Sequence, residues 1–112
     1  MLRPSKSAKF VLHKSGPHSF FELVAPDEEI LLHSELYRWR GAAEDAVAAV
    51  KANASDDARY QRRTADGARH YFVLTSASGE VLGTSAMCES ARAMEKAIGA
   101  VKRDAPKAAI EK

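Results

Sequence analysis

The chain repeats itself. Shifted by 51 positions, it aligns with itself without gaps over most of its length. Gly16 falls on Gly67, Phe21 on Phe72, Leu23 on Leu74, Glu29 on Glu80 and Leu31 on Leu82. Ser34 falls on Ser85, Ala46 on Ala97, and Ala49-Val50-Lys51 on Ala100-Val101-Lys102. Phe20 with Tyr71, Ile30 with Val81 and Val47 with Ile98 are conservative matches. Two copies are too few for a solenoid, so the units must bury their apolar faces as one pseudo-symmetric pair.

At 112 residues the chain has room for one domain. We place repeats at about 9–57 and 58–112 and a flexible tail at 1–8. Seventeen basic against 15 acidic residues is too even a balance to point to nucleic acid or membrane by charge alone. Cys88 is the single cysteine, which rules out an internal disulfide and makes reducing cytoplasm the expected compartment. No apolar run approaches the ~20 residues a membrane helix needs. Arg3 and Lys6 are not followed by an apolar stretch, so no signal peptide is expected.

Each unit reads as three strands and a helix. Phe10 to His13, Phe20 to Ala25 and Ile30 to His33 suit strands, separated by turn signals at Ser15-Gly16-Pro17 and Pro26-Asp27-Glu28. Their counterparts are Tyr60 to Thr64, His70 to Ser76 and Glu80 to Thr84. Ala43, Ala46, Val47 and Val50 then fall on one helical face, as do Met94, Ala97, Ile98 and Val101. Ser90 suits an N-cap, whereas its counterpart Trp39 cannot cap. Asn53 and Asp104 mark the helix ends. The predicted class is α+β: one antiparallel sheet with both helices on one face and the other face bare. The expected core includes Phe21, Leu23, Phe72, Leu74, Val47, Val50, Ile98 and Val101.

Three stretches together carry a resemblance: the linker Ala54 to Tyr60, the run Gly79 to Ser85, and Tyr71-Phe72-Val73-Leu74. The chain resembles the YegP-like family, small bacterial and archaeal proteins of unknown function, over about residues 9–107. The resemblance implies a further strand after each helix, exchanged between units. Asp57 to Thr64 would serve as both the last strand of unit one and the entry to unit two, and Ala108 to Glu111 as the shorter last strand. It implies no catalytic residues. Three departures stand out. An Asn-Gly type turn is replaced by Pro26-Asp27-Glu28, which predicts a different turn geometry there. The family's Tyr before the helix is Tyr37 in unit one but Cys88 in unit two, and its Ser at the helix start is Trp39 in unit one.

Candidate chemistry is thin. His13, His18, His33 and His70 lack a Cys or carboxylate at metal-ligand spacing, and His13 and His33 match Thr64 and Thr84 across the repeat. We read them as surface histidines and expect no metal or cofactor. Cys88 matches Tyr37 and reads as a packing residue, and Glu29 and Glu80 follow tight turns, where an exposed Glu is ordinary. No phosphate loop, nucleophile elbow or zincin motif occurs, so no catalytic residue is assigned and an enzyme is disfavoured.

The candidate interaction residues are Arg38, Trp39 and Arg40 around the first helix start, and Arg59, Arg62, Arg63 and Arg69 in the central hairpin with Tyr60 and Tyr71. For Trp39 the preferred reading is packing as a helix-entry staple; exposed, it would be a contact hot spot. The functional expectation is a non-enzymatic binding module, with a protein or small-ligand partner, using the bare sheet face or the seam between repeats. The second reading is a weak nucleic-acid binder through the Arg-rich hairpin, since arginines beside aromatics suit single strands. No membrane partner is expected, and internal duplication favours a monomer.

Overall fold

The computed structural model describes residues 7–111. Its elements are β1 (Lys9–Ser15), β2 (His18–Val24), β3 (Ile30–His33), α1 (Arg40–Asn53), β4 (Tyr60–Ala65), β5 (Arg69–Thr75), β6 (Val81–Thr84), α2 (Ala91–Asp104) and β7 (Ala109–Glu111). The strands form one sheet in the order β4-β5-β6-β3-β2-β1-β7. β3 and β6 meet at its centre through His33 and Thr84, so the two units share one sheet about a pseudo-two-fold axis.

Alternation along the strands sorts the two faces. Phe10 pairs with Leu23 and Leu12 with Phe21, and these face the helices. Their neighbours Val11, His13, Phe20 and Glu22 face the other way. In unit two Tyr60 pairs with Leu74 and Arg62 with Phe72 on the helix side, leaving Gln61, Arg63, Tyr71 and Val73 opposite. All eight expected core residues are buried in one cluster that also holds Phe10, Leu32 and Tyr60. Each helix crosses the seam: α1 touches β5 and β6 as well as β1 and β2, and α2 touches β3 as well as β5.

Several expectations need correction. The sheet is mixed, because β7 runs parallel to β1, with Phe10 beside Ile110. This is the strand exchange, since β7 belongs to unit two and β1 to unit one. Asp57–Arg59 is a 3-10 turn, and the strand begins at Tyr60. The repeat period holds from β2 onward but drops by one residue before it. Ser15 pairs with His18 in unit one, whereas Ala65 pairs with Arg69 in unit two, so the second hairpin turn is one residue longer. His13 therefore corresponds to Arg63, not Thr64.

The Pro26-Asp27-Glu28 turn also keeps the geometry of its counterpart. Glu28 N–H donates to Ala25 O and Gly79 N–H to Ser76 O, both at 2.9 Å. Glu28 accepts the left-handed φ of 74° that Gly79 adopts at 90°. Of the tail over residues 1–8, residues 1–6 lie outside the described residues. Ala8 is buried in the core cluster.

Candidate functional site

Both helices pack on one side of the sheet, so the opposite face carries no helix among the described residues. On it His13 Nε2 lies 2.8 Å from Glu22 Oε1, and the His13 and Phe20 rings stack at 4.8 Å. Glu22 in turn pairs with His33 across β2 and β3. The corresponding residues of unit two are Arg63, Tyr71, Val73 and Thr84, so the two halves of this face differ chemically. Among the described residues no group of three or more His, Cys, Asp or Glu could hold a metal ion. No helix is long and apolar enough to cross a membrane.

The exposed large apolar residues form a pattern. Among the described residues they are Ile30, Leu36, Trp39, Val81 and Met87. Ile30 and Val81 are repeat mates, and so are Leu36 and Met87. Single exposed apolar side chains are ordinary, but the same two positions exposed in both units are a surface feature. The two segments come close to each other at the seam. Tyr37 feels the charge of Glu80, and Cys88 that of Glu29. Both pairs are those that an antiparallel run centred on His33 and Thr84 sets opposite each other. The same count sets Ile30 opposite Met87 and Leu36 opposite Val81. Of these four, the sequence matches Ile30 with Val81 as apolar strand residues, while Leu36 and Met87 are marked only by the repeat itself.

The central hairpin does not gather its arginines. Successive strand residues point to opposite faces, which separates Arg62 from Arg63. Arg62 reaches to the helix layer, where its guanidinium donates to Glu95 of α2 and, at 2.9 Å, to Asp57. Lys102 also donates to Asp57. These two cations hold the Asp57 carboxyl down to about 2. Arg59 pairs with Asp56 at 3.3 Å. Arg63 lies on the bare face and donates to Gln61, and Arg69 is exposed at the start of β5.

Arg38, Trp39 and Arg40 do come together. Trp39 is 62% exposed and so does not staple the helix entry. It is the N-cap of α1 and makes no side-chain capping bond, while Ser90 Oγ caps α2 by accepting from Ala93 N–H at 3.0 Å. The backbone pairing of Ser19 with Tyr37 draws the β1–β2 hairpin alongside, which adds Lys14 to the group. Lys14 lies far away in sequence, and only the fold reveals it. A cleft of about 490 Å³ lies elsewhere, between the Pro26-Asp27 turn and α2, and its Arg103 and Asp104 pair with each other.

Burial and the Glu29 charge push the Cys88 thiol above its ordinary value, which disfavours the thiolate a nucleophile needs. Burial likewise raises the Tyr37 hydroxyl.

Comparison with known proteins agrees with this architecture. A family described as a domain of unknown function (DUF1508) matches residues 15–61 and again 65–111. A UPF0339 protein of Bordetella pertussis is 44% identical over 100 residues, covering 89% of this chain and 90% of that protein. The UPF0339 protein YegP of Escherichia coli K12 is 37% identical, covering 83% and 86%. The solution NMR structure of yegP from E. coli superposes with a TM-score of 0.87 at 32% identity, covering 94% of this chain and 91% of that one. A UPF0339 protein from Shewanella oneidensis gives 0.86 at 30%, covering 93% and 90%. With two matched copies and full-length relatives at these identities, the chain belongs to the YegP-like UPF0339 family, built from tandem DUF1508 units.

Proposed function

We propose that this protein is a non-enzymatic cytoplasmic binding module that engages a protein partner at the seam between its units. The observation that carries the reading is the repeat-related exposure of Ile30 with Val81 and of Leu36 with Met87. An apolar patch around a pseudo-two-fold axis desolvates readily and is rimmed by Glu29 and Glu80, the arrangement of an interface centre with a charged rim. The raised Cys88 thiol, which holds its proton, supports the non-enzymatic part.

The test is a capture experiment from lysate of the native host with tagged protein, at roughly 0.3 M salt and after nuclease treatment, conditions that remove phosphate-driven binding. The wild type retains a defined protein, and the double variant Ile30→Asp, Met87→Asp, checked for folding by circular dichroism, loses it. Equal retention by both chains, or none by either, sinks the seam reading.

A further inference from the structure

The duplication compares one backbone site in two chemical versions. A cleft of about 380 Å³ opens on the helix side, where the β1–β2 hairpin meets the start of α1. That size falls within the range of small-ligand clefts, about 300–1,000 Å³. It is lined by Lys14, Pro17, Ser19, Arg38, Trp39 and Arg40. The corresponding residues of unit two are Thr64, Ala68, His70, Glu89, Ser90 and Ala91. Unit one thus gathers three cations and an indole where unit two has neither Lys nor Arg and carries a carboxylate.

The indole stands there at a cost to the helix. Ser90 caps α2, whereas Trp39 leaves the first amides of α1 without a side-chain acceptor, and the first turn of α1 holds no acidic residue. Ala42 N–H turns back to Trp39 O at 3.1 Å, which leaves the Arg40 and Gly41 amides and the positive dipole end of α1 beside the cations. Among the described residues Lys14 and Arg38 make no ion pair, and Arg40 has only an exposed contact to Glu44 at 3.3 Å. Each feature alone is ordinary. Together they present a flat apolar ring, two free cations and uncapped amides to one cleft.

We infer that this cleft binds a nucleotide unit. The Trp39 indole stacks on the base, and Lys14, Arg38 and the first amides of α1 hold the phosphate. An acidic peptide would satisfy the cations and leave the indole in water. An apolar partner would cover the indole and desolvate the cations without a counter-charge. A base joined to a phosphate meets both needs. Leu36 of the seam lies two residues from Arg38, but this site depends on Lys14, Arg38 and Trp39 and the seam test on Ile30 and Met87, so either can fail without the other.

Trp39 is the only tryptophan of the chain, so its emission reports on this cleft directly. The experiment titrates the full chain with adenosine monophosphate in one arm and a short oligothymidylate in the other. At least one produces saturable quenching. Quenching by the mononucleotide alone identifies a free nucleotide, and by the oligomer alone a strand. Lys14→Ala and Arg38→Ala each weaken binding about tenfold, as loss of a charge-assisted bond to phosphate requires. Raising salt to roughly 0.3 M also weakens it. Arg62→Ala, at the other end of the sheet, changes nothing. Trp39→Ser restores a cap, melts no lower than wild type, and shows no heat of binding in calorimetry. No saturable quenching in either arm, or quenching that persists undiminished in the Lys14→Ala, Arg38→Ala double variant, overturns the assignment.

Discussion

Glu28 holds a conformation that L-residues rarely adopt. Its φ of 74° matches the 90° of Gly79, its counterpart after the second strand of unit two. Both turns close with the same pair of backbone bonds, Ala25 N–H to Glu29 O at 2.8 Å and Ser76 N–H to Glu80 O at 2.9 Å. A side chain in the left-handed region costs roughly 1–2 kcal/mol. Glu28→Gly is therefore expected to be more stable than Glu28→Ala, which loses the same side chain, and Gly79→Ala to be less stable than wild type by about 1 kcal/mol. A Cβ at Gly79 would meet nothing within 4 Å, so the second effect isolates the backbone. Urea unfolding of the three variants checks this, and a Glu28→Ala midpoint equal to or above that of Glu28→Gly would sink it. Reading residue types alone suggested a different turn at Pro26-Asp27-Glu28, because propensity does not register how firmly the flanking ladder imposes a geometry. The repeated Ser34 and Ser85 show the opposite case: their identity was plain in the sequence, but its cause was not. Each hydroxyl accepts from a buried strand amide, Phe21 N–H at 2.9 Å and Phe72 N–H at 3.0 Å, that would otherwise lack a partner.

Strands and helices were readable because each buries one face, and burial writes a period of two or 3.6 into the residues. Ala43, Ala46, Val47 and Val50 give α1 its stripe, and all four are buried. The arginines were misleading for the same reason. Arg62 and Arg63 look like one basic cluster in a row of letters, but the pleat sends one to the helix layer and one to the bare face. There Arg62 ties β4 to α2 through Glu95 and to the 3-10 turn through Asp57, with Lys102 joining from α2. Asp57 titrates at about 2 instead of 3.8 because of Arg62 and Lys102, and Arg62 lowers Glu95 as well. A carboxyl whose folded value is depressed favours the folded state above its unfolded value. That stabilisation is complete above about pH 4 and is lost as pH falls toward 2. The melting temperature should therefore drop across this window, and Asp57→Asn should flatten part of the drop while leaving a lower plateau at neutral pH. Because these groups are exposed, high salt should shrink the difference. Superimposable curves for the two proteins would mean that the network does not couple β4 to α2.

The whole molecule is asymmetric at its edges although its centre is nearly symmetric. The strand that follows α2, β7, covers β1 of the other unit. The matching segment after α1 runs straight into β4, so among the described residues β4 pairs with β5 alone and stays an open edge. That edge carries Gln61, Arg62 and Arg63, charged and polar residues of the kind that discourage another strand from pairing there. The edge of β1 is not defended in this way, since Leu12 stands where β4 has Arg62. It relies on β7, held by Ile110 against the core and by a Lys9–Glu111 pair at 3.1 Å. The duplication could be read directly from the residues, but this asymmetry could not, because it depends on which strand the chain spends on the connection between units. Ending the chain after Ala108 should remove three strand pairings and the half-buried Ile110, lowering stability by about 2 kcal/mol. It should also uncover an apolar edge, so the shortened protein should associate with rising concentration in sedimentation velocity while the full chain stays monomeric. Replacing Leu12 with Arg in the shortened chain should restore the monomer by giving β1 the protection β4 already has. A shortened chain that stays monomeric with an unchanged urea midpoint would show that β7 is an ornament of the sheet and not its guard.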